Sequence, residues 1–516
     1  MQRRPMSPHL SFRGLRRPAV AATALFLTAG CVSSVAMAAA GQASPATPVL
    51  ATTVDQASAQ TVVGFGVSGA WWPADLYKFP ASVQQQLEGL LFTSSGLDVS
   101  QYRYLIGSGG AGVRERFKTA PSFLRAHGTY NWNTDRAGVA FLEAAAHDGV
   151  SDLVAFVNAA PAVLNPNRKS CDFSMPSSEV ALYARFLTTV LDRLIQDDHL
   201  PIGYVSPMNE PTDAHGACDQ EGMEVTPRVQ TRLIPTLAKD LAGAHLRVGV
   251  IGNESDNNVD FWATLNQWFP AVRKHLAALA DHNYDYPSPS ELERKKTLDF
   301  PHWATEICCD DAQVRLGRGY DPTMASGLWL ARTIYEDLVD GGYSAFDWWM
   351  AASPNLGCNP GASPSCPGAP NTKGRNQALI YYDPHYATDG NYSLYLTKRY
   401  WVMKAFSRFV RPGSVLHTIS GLDSSTDAVS FVSGSQVVTV AINSAPTAEK
   451  LQVAPPKSRW SSRTRAYQTD GNESWATVPV QVAFGGSSLT VALPADSVTT
   501  IVSSLSSLTV LGISPL

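Results

Sequence analysis

The chain lacks the features that several kinds of function require. No segment after the N-terminus approaches the ~20 consecutive apolar residues of a membrane-spanning helix. No C-x-x-C or H-E-x-x-H pattern marks a metal or redox site, and no G-x-S-x-G marks the nucleophile elbow of an esterase. No internal repeat of fixed period suggests an array. Lys and Arg (40) do not exceed Asp and Glu (44), which makes the chain a poor candidate for binding nucleic acid. What remains is a chain of 516 residues with 44% hydrophobic content, enough for one large folded domain and a smaller one.

The first forty residues differ from the rest. "MQRRPMSPHLSFRGLRRP" is basic, "AVAATALFL" is a short apolar run, and "AMAAA" supplies small residues, which together read as a secretory signal peptide over residues 1–40. Its removal takes five Arg and no acid, moving the formal charge from −4 to −9. The expectation is a secreted, monomeric protein. The alternative is a lipid anchor at Cys31, where "LTAGC" resembles a lipoprotein cleavage box. Six cysteines then remain, and in an exported chain disulfides are expected between Cys171 and Cys218, which flank a helix and a strand, and between Cys358 and Cys366, which flank a Pro/Gly loop. Cys308 and Cys309 lack the partner pattern of a metal or redox site and read as structural.

From Val62 onward, short β-rich runs alternate with amphipathic helical runs, as in successive βα units with a parallel sheet. Eight strands can be counted: "TVVGFGVSG", "VSQYRYLIG", "DLVAFVNAAP", "IGYVSPMNEP", "RVGVIGNES", "LADHNYDY", "HWATEICC" and "SAFDWWMAAS". Between them, runs such as "SVQQQLEGLLF" and "TPRVQTRLIPTLAKDLAGA" carry apolar residues at i, i+3, i+4 spacing. Eight such units close into a (β/α)₈ barrel, here over residues 62–404. After Lys404 the runs "AVSFVSGSQVVTVAIN", "VQVAF", "SSLTVALP" and "SVTTIVSSL" alternate at period two between Gly/Ser turns, which predicts an antiparallel β-sandwich over 405–516. Residues 41–61 are expected to add a strand to it.

In such barrels functional groups project from the C-terminal ends of the strands. Glu210 closes the fourth strand, and Glu306 lies near the end of the seventh. Three βα units apart, they face each other across the barrel mouth. Two opposed carboxylates are what glycoside hydrolysis requires, one to protonate the leaving oxygen and one to attack the anomeric carbon or to activate water. Glu254, ending the fifth strand, is a candidate substrate ligand, and Glu221 follows a loop and reads as structural. Trp71, Trp72, Tyr284, Tyr286, Trp348 and Trp349 lie at or beside strand ends, where flat rings can pack on sugar faces or serve as ordinary core. "GSGGAG" (107–112) matches G-x-G-x-x-G, but no clear helix follows and no acidic ribose ligand stands about 20 residues on. A tight loop fits it better than a dinucleotide site. No cofactor and no metal are expected.

Taken in order, "GFGVSGAWWP", "QYRYLIG", "YVSPMNEP", "QEGM", "ATEICC", "FDWWMAASP" and "TKRYWVMKAFSRFVRPG" resemble glycoside hydrolase family 30, close to its endo-β-1,6-galactanase branch, from about Val62 to Gly413. The resemblance implies a retaining enzyme with a barrel and an attached sandwich. It gives Glu210 the general acid/base role, with its pKa raised by the neighbouring negative charge, and Glu306 the nucleophile role. It also implies that Asn209 binds the sugar 2-hydroxyl and that Arg103 steadies the nucleophile. The substrate implied is β-1,6-linked galactan; a β-1,6-glucanase or other β-glycosidase of the family, and a non-catalytic carbohydrate-binding protein, stand as alternatives. Two positions depart from the branch: Leu105 stands where an Asn is usual, and "GRNQALIYYD" (374–383) replaces a "WND"-like loop.

Overall fold

The computed structural model describes residues 47–309, 319–456 and 458–506. The proposed signal peptide and Cys31 lie outside the described residues. Among the described residues no helix is long and apolar enough to cross a membrane.

Eight parallel strands close into a barrel: β1 (Gly64–Ser68), β2 (Gln101–Leu105), β3 (Asp152–Phe156), β4 (Ile202–Ser206), β5 (Gly249–Ser255), β6 (Ala278–His282), β7 (His302–Ile307) and β8 (Ala345–Trp348). They coincide with the eight runs read from the sequence. Each is followed by a helix on the outside, from Ala81–Phe92 after β1 to Lys398–Ser407 after β8. Local chemistry starts these helices where they must start. Asn257 accepts from the Asp260 backbone N–H ahead of Asn258–Val272, and Ser288 with Glu291 forms a capping box ahead of Pro289–Lys296. The lower barrel interior is filled by Val154, Ile251, Ala278, Ala280, Trp303 and Ala345, so the barrel is a packed core and leaves only its upper end for chemistry.

Two register shifts shape that upper end. One falls in β5 between Asn253 and Ser255, the other in β7 between Ala304 and Glu306. Successive residues of a regular strand point to opposite faces, and a bulge relaxes that rule. Both Thr305 and Glu306 therefore reach groups of one site: Thr305 donates to Glu254, and Glu306 pairs with Arg103.

The C-terminal part is one long sheet folded over its own core of Val54, Val437, Ala441, Leu451, Val453, Trp460, Leu493 and Ile501. The N-terminal strand Val49–Val54 lies within it, antiparallel to Val415–Ser420 and parallel to Glu449–Ala454. That parallel pair departs from a purely antiparallel sandwich, because the strand enters from the other end of the chain and wedges between two neighbours. Along Gln436–Asn443, Val437 and Ala441 face the sheet core while Val438, Val440 and Ile442 join the core of the barrel. Period-two alternation here separates two apolar faces, one for each packing partner. Thr500 Oγ1 donates to the Ala405 carbonyl (2.8 Å) across the same junction.

All six of these cysteines are bonded: Cys171–Cys218, Cys358–Cys366 and the adjacent pair Cys308–Cys309. The first two are the pairings expected from sequence.

Candidate active site

Glu210 follows β4, its backbone at φ +44° and its N–H donating to the Glu254 carbonyl (2.9 Å). Its carboxylate sits between two imidazoles, with Oε2 3.2 Å from His215 Nε2 and Oε1 3.4 Å from His282 Nδ1. Glu306, at the end of β7, has Oε2 3.0 Å from the Arg103 guanidinium and Oε1 2.9 Å from the Tyr284 hydroxyl. Oxygens of the two carboxylates, together with a ring nitrogen of His282, all lie within 4.8 Å of one another. Both glutamates line a cleft of about 580 Å³ at the barrel mouth, with Trp71, Tyr284, Trp349, His215 and the Cys308–Cys309 pair on its walls. Trp71 and Trp349 meet edge to face, ring centroids 5.2 Å apart.

Beneath them lies a fully buried charge network. Arg103 on β2 reaches Glu306 and, at 3.4 Å, Glu254. Glu254 also takes His282 Nε2 at 3.0 Å. Although burial favours its neutral form, Arg103 and His282 hold the Glu254 carboxyl at about 2. Burial opposes the charge on His282, yet Glu306, Glu210 and Glu254 raise its pKa well above that of a free imidazole. Both His282 nitrogens face carboxylates, so the ring serves this trio as a cation. Asp347 on β8 is pushed by burial to about 8 despite Arg103, so at neutral pH it is largely protonated and adds little to the charge that Arg103 must balance.

The two mouth carboxylates differ in their surroundings. For Glu210 burial raises the pKa, but hydrogen bonds from His215 and His282 outweigh it and hold the carboxyl below the usual range. For Glu306 burial dominates, and with the nearby Glu210 charge it raises the pKa against the pull of His282 and Arg103. The expectation that a neighbouring negative charge would raise Glu210 is thus corrected: the two histidines flanking it were not foreseen. Tyr284 stays a neutral donor, because burial and the Glu306 charge both push its phenol up.

Three residues read as substrate contacts are turned away from the cleft. Trp72 is fully buried, donating to the Ser68 carbonyl and packed on Phe141. Trp348 is fully buried, donating to the Gln377 carbonyl and packed against Trp329. Glu254 is fully buried and holds Arg103, His282 and Thr305. Asn209 is buried with its Oδ1 free of any protein donor. Glu221 accepts from the N–H groups of Gly110 (2.9 Å) and Ala120 (3.3 Å), fixing the "GSGGAG" loop as a tight turn. Leu105 is buried, and loop residues Arg375 and Gln377 line the cleft.

Residues 51–268 match the sequence model of O-glycosyl hydrolase family 30, a stretch that includes Arg103, Asn209, Glu210 and Glu254. The fold is also that of solved structures. The catalytic domain of the GH30 xylanase C from Talaromyces cellulolyticus aligns with a TM-score of 0.69 over 89% of this chain and 100% of its own, at 22% identity. A conserved exported protein from Bacteroides fragilis aligns at 0.73 over 88% and 100%, at 21% identity. An endo-β1,6-glucanase aligns at 0.64 over 87% and 93%, at 15% identity.

Proposed function

We propose that the chain is a secreted, retaining glycoside hydrolase of family 30 that cleaves β-1,6-linked galactan. The observation that carries the reading is the approach of Glu210 and Glu306, on strands three units apart, to within 4.8 Å at the floor of an aromatic-walled cleft. Retaining enzymes hold their carboxyl groups about 5–5.5 Å apart, whereas an inverting pair stands farther apart to admit a water. The family match over residues 51–268 and the shared fold of the solved relatives support the class.

The hydrogen-bond partners divide the roles. A guanidinium and a phenol donate to Glu306, bonds that favour its ionised form against its burial and aim it at the cleft, which suits the nucleophile. Two imidazoles, which can carry protons, hold Glu210, which suits the acid/base. Glu306 attacks the anomeric carbon while Glu210 protonates the departing oxygen. Water, deprotonated by Glu210, then releases the sugar from Glu306. Trp71, Tyr284 and Trp349 form the walls that meet the sugar, and Asn209, with its free Oδ1, is placed to accept from a sugar hydroxyl. The β-1,6-galactan assignment rests on the ordered motifs from "GFGVSGAWWP" to "FDWWMAASP".

A second reading, hydrolysis of 6-linked glucan, is left open by the departures at Leu105 and the 374–383 loop, which put the exact sugar in question, and is favoured by the relative that is an endo-β1,6-glucanase. Digestion of 6-linked galactan beside 6-linked glucan and xylan, with products sized, decides between them. Release of short galacto-oligosaccharides supports the first reading, and cleavage of glucan or xylan alone overturns it.

A further inference from the structure

His215 belongs to no strand and was not singled out by the sequence. It lies in the loop after β4, five residues beyond Glu210, with its backbone in the left-handed region at φ +47°. Several independent features hold its ring in place. Its N–H donates to Asp213 Oδ1 (2.7 Å), and its carbonyl accepts from the Cys218 N–H (2.7 Å). Cys218 is bonded to Cys171 in the loop after β3. Gly222 leaves the ring its space: a Cβ there would stand 2.1 Å from His215 Cδ2.

We propose that His215 is a positioning residue that stores the proton used by Glu210. The inference rests on the acid/base role assigned above. Its Nε2 stands 3.2 Å from Glu210 Oε2, and the Gln220 side-chain amide stands 2.9 Å from the same nitrogen. An amide offers a donor at one end and an acceptor at the other. Its N–H end, which faces Nε2 here, donates to that atom once the proton has gone to Glu210, so the neutral ring keeps a partner. The proton moves from Nε2 of the imidazolium to Oε2 of Glu210, which gives it to the leaving oxygen and is left as the carboxylate that can take a proton from water. Water entering the second half of the reaction returns one proton to the pair.

The groups around the ring favour the stored proton. Glu210 faces it from the end of β4, Asp213 (3.6 Å to Nδ1) and Asp219 from its own loop, and Asp172 lies beside the adjacent Gly216 from the loop after β3. Lys118, from the loop after β2, is engaged by Asp219 at 3.6 Å, and Asp256 faces Glu210 from the end of β5. Burial opposes the charge, but Glu210, Asp213 and Asp219 together raise the histidine above its ordinary value.

The pair then loses its second proton at the raised histidine value, and the competent form, protonated Glu210 beside neutral His215, persists in equilibrium up to that pH. With His215→Gln, Glu210 loses its proton in the carboxylate range while His282 still lowers it. The basic limb of the pH profile should therefore move down by about one pH unit or more. At pH 7 kcat/KM for an unactivated oligosaccharide should fall about tenfold, and that for an aryl glycoside whose leaving group needs no proton should change less than about twofold. Gly222→Ala, which pushes the ring aside while leaving His215 present, should move the limb the same way. A limb that stays put or moves up in His215→Gln, or equal losses on both substrates, would overturn the proposal. Glu210→Gln run in parallel separates the two failures. If that variant keeps activity on the oligosaccharide, the acid/base assignment falls. If it loses activity while His215→Gln shows neither signature, only the proton store falls.

Discussion

At the residue scale, Arg103 is the pivot of the site. It is fully buried and stands between Glu254 and Glu306, one an anchor and the other a reacting group. Removing one member of a buried ion pair strands its partner, at a cost of about 3–5 kcal/mol. Arg103→Met should therefore lower the urea midpoint sharply. Because the guanidinium lowers the Glu306 pKa, its loss should also raise that pKa. Glu306 must be ionised to attack, so the acidic limb of kcat/KM should move to higher pH. An unmoved acidic limb in a folded variant would show that Arg103 does not tune the nucleophile. The paired tryptophans hold a lesson at the same scale. Neighbouring residues on an extended chain point to opposite sides, so of Trp348 and Trp349 only one could face the mouth. That alternation was readable in "DWWM" and excludes one of the two; the structure shows the excluded ring to be Trp348. Trp72 is harder to place from sequence, because Trp71 lies in the turn after β1 with φ at +68°.

At the scale of elements, the loop after β4 depends on the bond between Cys171 and Cys218. The bond closes a chain of 47 residues, and the loop-entropy relation gives about 4 kcal/mol for a closure of that length. A Cys171→Ala/Cys218→Ala double variant should melt several degrees lower and, with the His215 loop freed, lose activity on unactivated substrates first. A melting curve coincident with the parent's would show that the loop is held by its other contacts alone. All eight strands were legible because each is a β-rich run bounded by turn residues, and the strand-end rule located both Glu210 and Glu306. The same rule applied to "LADHNYDY" would have picked out His282, a titratable residue closing β6. His215 was not legible, since a disulfide between distant loops sets its position. Glu254 was misread as a ligand because the register shift in β5, which governs where its side chain goes, leaves no distinct mark in "GNES".

At the scale of the whole molecule, the sheet domain and the barrel share apolar surface. Val429, Phe431, Val438, Val440, Ile442 and Val498 of the sheet lie in one continuous core with barrel helices. A chain ending after Gly413 would expose the other half of that contact and also lose the strands that flank Val49–Val54. It should aggregate on expression, because an exposed apolar face of that extent drives association. A soluble, fully active truncation would contradict the shared core. The sequence showed the period-two pattern of this domain but not that both faces are buried, because apolar residues on a second face read equally well as ordinary strand content.

The double role of the carboxylates is tested most directly by azide and the anomer it yields. In Glu306→Gly the nucleophile is gone while Glu210 remains, so azide entering the vacated space should displace a good leaving group once and give the α-glycosyl azide from a β-glycoside. In Glu210→Gly the intermediate still forms on Glu306 when the leaving group needs no proton, and azide attacking it should give the β-azide after two inversions. Opposite anomers from the two variants are the predicted result. The β-azide from Glu306→Gly, or near-parental turnover in either variant, would contradict the account.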